Sequence, residues 1–451
     1  MSTVNPGVYK AILRVRAAYP FDAGAFLMRF YVYMMNIGTV TMLTLAGYSF
    51  FTAGLATSAI ALATFFISPR VSKLIDERGQ SRVVPVAAAV TMAGLAIMLV
   101  DVSLRGPEWV LFAAAVLMGF VPSPQALPRA RWTYLIRTGR LGDAAPDLRT
   151  MFSYEGVLDD IGFMFSPSIS IALATAIAPV AGLLAGGIAF VAGTAVLTLS
   201  KSTEPEPGWT AKGSEGKGAA ASAARMPAEG GEGEGAAASA ALASDARHGS
   251  VIRTSPVVRV LFVLMMFVGA FYGVFDTATV SLAEDLGNPN IASVILVVAS
   301  CVSMAMGFVF GMVSLRVPQH VQLVGCAVLI GCAYGTMCLI NSAETLFAVS
   351  TLAALFYAPF LIVANATCER AVPGDRLTEA ITWMSAGSTC GMAFGPSIGG
   401  MIIDRFGTIA SFDFGALLAI AIPVTALCCF RLIKRNVRPS AYVEVARKPV
   451  K

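Results

Sequence analysis

Residues 154–171 read "YEGVLDDIGFMFSPSISI", and residues 383–400 read "WMSAGSTCGMAFGPSIGG". Gly162 and Pro167 of the first stretch return as Gly391 and Pro396 of the second, 229 residues on, and Phe165, Ser168 and Ile169 return as Phe394, Ser397 and Ile398. The chain therefore repeats itself in the same direction. What it does not repeat is charge: Glu155, Asp159 and Asp160 face Met384, Ser388 and Thr389 across the alignment.

Outward from these stretches, apolar windows of roughly 20 residues recur, each long enough to cross ~30 Å of hydrocarbon. Twelve are counted, at 21–46, 48–68, 83–100, 107–128, 150–174, 177–199, 257–282, 289–314, 320–340, 344–367, 378–403 and 410–431. Of 451 residues, 56% are hydrophobic and 13% charged, against about a quarter charged in soluble domains. The first window is too long for a signal peptide, contains Arg29 and lacks a cleavage site, so it is expected to stay in the protein. Of the 32 Lys and Arg residues, 29 fall in the tails or the even-numbered connections; the exceptions are Arg29, Arg105 and Arg405. Positive residues stay cytoplasmic, so both termini are expected there. The net charge of +5 is thus a topology signal, and no nucleic-acid partner is expected.

The Gly, Ala, Ser and Glu composition of 201–255 cannot bury enough apolar surface to order itself and reads as a flexible cytoplasmic linker. The expected organisation is a tail (1–20), a six-helix bundle (21–200), the linker, a second six-helix bundle (256–432) and a tail (433–451). An even number of crossings per copy relates the halves by an axis along the membrane normal, with a cavity between them. The fold class is all-α, with twelve transmembrane helices in two bundles. The eight cysteines lack a CxxC spacing, and both histidines lie in connections, so no metal site, disulfide frame or cofactor is expected. An intramembrane proton carrier must then be a carboxylate.

The twelve spans, the long central loop and two motifs resemble the major facilitator superfamily over essentially the whole chain outside the linker and tails. The loop after span two, "SKLIDERGQSRVV", is similar to the family signature G-x-x-x-D-R/K-x-G-R/K-R/K: Asp76 and Gly79 are kept, with Arg82 just beyond, while Ser72, Glu77 and Gln80 depart from it. The resemblance implies gating, with Asp76 as a lock to the opposite half; a solvated basic turn explains the arginines equally well. The motif G-x-x-x-G-P-x-x-G-G is complete in span eleven as Gly391, Gly395, Pro396, Gly399 and Gly400, and weaker in span five, where Gly162 and Pro167 remain. In this family it is associated with antiport when in span five; close helix packing with a bend at each proline is an equal reading. The phrases "YEGVLDD", "ERAVPGDRLTEAITW" and "FYGVFDTATVSLAED" resemble a bacterial branch of transporters, which implies a monomer in the cytoplasmic membrane.

A charged side chain inside a span costs at least ~2.5–3.5 kcal/mol on insertion scales and needs a partner, a water cavity or a function. Arg29, Glu155, Asp159, Asp160 and Asp276 are such residues. Glu155 and Asp159 are four apart and share a helix face, while Asp160 points about 100° away, toward a helix-end or interface role. Arg29 lies at comparable depth in span one, so an ion pair between spans one and five is expected. Two carboxylates beside one arginine cannot both easily stay charged, which makes Asp159, helped by Glu155, the expected proton carrier; a static salt bridge is the alternative. The resemblance puts spans one, four, seven and ten around the cavity and so offers Asp276, Tyr272, Tyr31, Tyr33, Asn36, Gln125 and Tyr357 as its wall. Pro122, Pro124 and Pro128 are expected to break span four.

These readings converge on a secondary transporter that exchanges a small organic solute for protons, exporting the solute. A proton-linked importer of a small nutrient, or a receptor-like or scaffold protein on the same fold, stays open; charges in the cavity argue against the last. No nucleophile with a base and no phosphate loop supports an enzyme or an ATP-driven pump.

Overall fold

The computed structural model describes residues 15–141, 148–207, 209, 251–288, 290–312, 317–372 and 377–437. The rest of the central stretch and most of both tails lie outside the described residues. The first half comprises α1 (Tyr19–Leu45), α2 (Phe50–Arg78), α3 (Gln80–Leu104), α4 (Glu108–Met118), α5 (Ala126–Arg137), α6 (Leu148–Ala176) and α7 (Ala181–Leu199). The second comprises α8 (Pro256–Asp285), α9 (Asn290–Met312), α10 (Gln319–Gly335), α11 (Ala343–Ala371), α12 (Leu377–Phe406), α13 (Thr408–Cys428) and the short α14 (Phe430–Asn436). The described residues contain no strand, as expected where lipid offers backbone groups no hydrogen bond and helices must satisfy their own.

Nine of these helices are long and apolar enough to cross a membrane. The short apolar α4 and the proline segment after it occupy the fourth window of the sequence. The more polar α1 and α12 complete twelve, six to a half. Seven residues, 119–125, separate α4 from α5; they hold Pro122 and Pro124, while Pro128 is accommodated in the first turn of α5, where a proline removes no helical bond. Ser49 caps α2 and Ser255 caps α8 by accepting from Thr52 N and Val258 N, and Ser342 and Thr345 form a capping box on α11.

Buried apolar residues form two main cores, one within 25–197 and one within 251–433, so each half folds around its own centre. Part of the stretch assigned to the linker packs on the first half. Residues Lys201–Thr203 form a 3-10 turn with Thr203 buried, Glu204 accepts from Ser81 N at 2.8 Å, and Trp209 packs edge-on against Tyr134. Those side chains find partners on α5 and at the α2–α3 corner that a composition average over 201–255 conceals.

The halves meet on the face that carries the odd-numbered connections. Asp404, near the end of α12, accepts from Phe50 N at 3.0 Å and Phe51 N at 2.8 Å, the open N-terminus of α2. Thr44 donates to Glu284 at 2.7 Å and Thr175 to Asn290 at 2.6 Å. Gly54 touches the Pro396 carbonyl, and Ser58 bonds Ser397. Among the described residues no hydrogen bond or ion pair joins the halves on the opposite face.

Candidate functional site

The site grows from one face of α6. Glu155 and Asp159, one turn apart, point at α1, and Gly162 continues that face. A Cβ on Gly162 would lie 3.0 Å from the Tyr33 ring, so glycine there lets α1 approach closely. Arg29 of α1 pairs with Glu155, and its Nε lies 2.9 Å from Asp159 Oδ1. The expected ion pair between spans one and five is present, and both Arg29 and Glu155 are completely buried.

Two further charges complete it. Arg129, in α5 just past the proline break, reaches Asp159 Oδ2 at 2.6 Å. Asp22, seven residues before Arg29 and on the same helix face, accepts from Trp132 Nε1 at 3.0 Å and neighbours the Glu155 carboxyl. Three carboxyls (Asp22, Glu155, Asp159) thus face two guanidiniums (Arg29, Arg129). The groups are not served equally. Asp159 is held by both arginines and accepts from Tyr33 Oη at 3.2 Å, whereas Glu155 Oε1 is buried with no hydrogen-bond partner among the described residues.

Tyr33 links this cluster to the space between the halves. Its hydroxyl also accepts from Gln125 Nε2 at 3.2 Å, and with Asn36, Ile37, Phe163, Met164 and Pro167 it forms the first half's share of the wall of a central cavity of about 220 Å³. The rest of the wall is second-half, and Tyr272, Asp276 and Tyr357 are in it. Two of the expected wall residues are elsewhere. Tyr31 is two residues from Tyr33, about 200° around the helix, and is buried against Phe190 of α7 with ring centroids 5.0 Å apart. Gln125 stands one layer back, positioned by Ser123 and bonded to Tyr33. Asp160 continues α6; its side chain lies outside those described.

The two motifs lie at a helix corner and at a helix seam. Gly79 turns the corner between α2 and α3 at φ 92°, a conformation that favours glycine, and lies against the Glu204 carboxylate. Asp76 and Arg82 are exposed, and neither has a described contact with the second half. In span eleven Gly391 and Gly395 meet the backbone of α8 at Met266 and Ala270, Gly399 meets Val274, and Gly273 of α8 meets Pro396 in return. The glycine motif is a backbone-to-backbone seam between α8 and α12.

A sequence model of the Major Facilitator Superfamily matches residues 23–342 and 261–451. The chain belongs to this superfamily. Solved structures agree on the fold: an auto-inhibited peptide transporter of the POT family superposes with a TM-score of 0.63 at 17% identity, over 94% of this chain and 97% of that one. The nucleoside transporter NupG gives 0.64 at 14% identity over 93% and 100%, and the POT family transporter PepTSo gives 0.63 at 15% over 95% and 98%. No curated protein sequence matches. The chain is therefore a multi-pass membrane protein on a transporter fold, in which superfamily members carry small molecules between two bundles.

Proposed function

We propose that this protein is a proton-coupled secondary transporter that exports a small organic solute from the cytoplasm by alternating access, with protons entering in exchange. The observation that carries the reading is Tyr33: one side chain binds the buried ion cluster through its hydroxyl and lines the solute cavity with its ring. A change of charge in the cluster then alters the wall against which the solute rests.

The cluster has one carboxyl more than it has guanidiniums, and a net charge in low dielectric is expensive, so the resting state holds one proton. Asp159 is gripped by two arginines and a tyrosine while Glu155 Oε1 has no partner among the described residues, which moves the proposed carrier from Asp159, where the sequence pointed, to its neighbours. The proton therefore belongs to the adjacent Asp22 and Glu155, two carboxyls that cannot both ionise cheaply. Its loss would draw Arg29 toward Glu155 and loosen Asp159 and Tyr33. Asp276 supports exchange over co-transport: a single cavity carboxylate occupied by a proton or by a solute group, but not both, would couple the two in opposite directions.

The test is the full chain in liposomes with an imposed pH gradient and an internal pH dye, challenged with a panel of organic solutes. Glu155→Gln should cut solute-linked proton flux more than tenfold while solute-for-solute counterflow continues, and Asp159→Asn should slow both without uncoupling them. Wild-type proton flux in both Glu155→Gln and Asp22→Asn would overturn the assignment. The static salt-bridge alternative predicts that Arg29→Ala combined with Asp159→Asn and Glu155→Gln restores transport.

A further inference from the structure

We infer that the solute is a small organic monocation whose positive group pairs with Asp276 beside Tyr272 and Tyr357, its apolar body resting on a wall of methionines. The inference rests on the transporter reading only for the claim that the bound species is carried; that the site takes a cation stands on the cavity alone.

Among the described residues Asp276 is the only Asp, Glu, Lys, Arg or His in the cavity wall, and none of them gives it an ion-pair or hydrogen-bond partner. Arg29 and Arg129, the positive charges of the neighbouring cluster, are engaged by Glu155 and Asp159 behind Tyr33. A carboxylate left alone at membrane depth calls for a counter-charge, and no described residue supplies one. A proton or a cationic ligand is the remaining source, and the two compete for the same carboxylate.

The neighbours of Asp276 suit a cation. Tyr272, one turn earlier on α8, packs against Tyr357 with ring centroids 4.9 Å apart and an interplanar angle of 66°. The Tyr272 hydroxyl accepts from Tyr334 at 2.8 Å, and the Tyr334 ring stacks on Phe271. This locks the aromatic group in place before a ligand arrives, and aromatic faces attract desolvated cations. Across the cavity, Asn36 Oδ1 is a buried acceptor without a partner. Six methionines, Met164, Met265, Met304, Met337, Met384 and Met392, line the remainder; thioethers are apolar, polarisable and conformationally adaptable, so they accept bodies of several shapes. The volume of about 220 Å³ lies below the usual ~300–1,000 Å³ of ligand pockets and restricts that body to a small one. An anion finds no positive partner here, and a zwitterion would leave its carboxylate unpaired.

The probe is labelled benzyltrimethylammonium, measured by equilibrium dialysis against the full chain in detergent, with phenylacetate and phenylacetamide as anionic and neutral competitors. We expect saturable cation binding at up to millimolar concentration, no competition by phenylacetate, and at least a tenfold loss of affinity in Asp276→Asn. Because protons compete for the carboxylate and the probe does not titrate, wild-type affinity should fall from pH 8 to pH 5, while that of Asp276→Asn stays flat. Unchanged thermal unfolding of Asp276→Asn checks its folding; should it misfold, Tyr357→Leu, which removes an aromatic face and keeps the carboxylate, should weaken the cation more than the amide. Absence of saturable cation binding, equal binding by Asp276→Asn, or competition by phenylacetate as strong as by the unlabelled cation overturns the inference. Cation binding as described without gradient-driven uptake or release in liposomes supports the site and defeats the transporter reading instead.

Discussion

At the start of α3, Gln80 accepts from Arg131 Nε at 2.7 Å, and at the start of α10, Gln319 accepts from Arg370 Nη1 at 2.7 Å. Each residue is 239 positions from its counterpart, so both halves close the same corner with the same pair. Deeper in the membrane the halves diverge. Where α6 meets α1 with carboxylates against arginine, α12 meets α8 with glycine against backbone. The comparison separates what the fold requires from what the site requires: the corner clamp is kept twice, and the ions occur once. An ionic contact holds its helices apart by the length of two side chains and stays responsive to a proton, while a glycine seam has neither spacing nor charge to change.

That contrast breaks first at Arg29. Arg29→Ala leaves two buried carboxylates without their main counter-charge and should cost ~3–5 kcal/mol, read as a fall in thermal unfolding temperature in detergent; adding Glu155→Gln should recover part of it. No single neutral substitution in the α8–α12 seam removes a charge, so there the damage must come from volume. Gly391→Val drives a side chain into the Met266 carbonyl and the Ala270 amide and should cost about 3 kcal/mol. Gly162→Ala, the matching position in the first half, meets only the movable edge of the Tyr33 ring and should cost about 1 kcal/mol; equal losses at the two glycines would show that the seams do not differ.

The corner clamps sharpen the comparison further. Arg131 also donates to the carbonyls of Leu197 and Ser200 and to Thr203, capping the end of α7, and burial lowers its pKa to about 10. Arg131→Gln should therefore cost about 2–3 kcal/mol, and Arg370→Gln about 1 kcal/mol. The smallest effect is expected at Asp404. Asp404→Asn should leave stability within about 0.5 kcal/mol yet increase labelling of a cysteine placed at Asn36 by an impermeant reagent added from the odd-connection side.

The sequence made the halves and their crossings legible because apolar windows and a rare repeat survive without knowledge of packing. The Arg29 pair was legible because charges inside spans are scarce. Asp22 was not, since it opens its span and reads as interfacial, although its spacing of seven from Arg29 puts both on one face. Arg129 was absorbed into the topology count, and only the proline break, which turns α5 back over α6, brings it to Asp159. Tyr31 and Tyr33 could not be separated without the rotation of α1. The clamp escaped the repeat because 31 positions separate Arg131 from Gly162 and only 21 separate Arg370 from Gly391, so the register slips between the two motifs.

The joined face has a consequence for turnover. Its bonds are a carboxylate on two helix-terminal amides and hydroxyls on Glu284, Asn290 and Ser397, and water can replace each of them as it breaks. On the proposed function, parting the halves exchanges these bonds for water and, among the described residues, uncovers only the small apolar cluster of Ile37, Ile171, Val280, Ala283 and Ala292, so the face costs little to open. A seal of interlocked leucines would have left one state dominant, and the ligand would have had to supply the whole difference in every cycle.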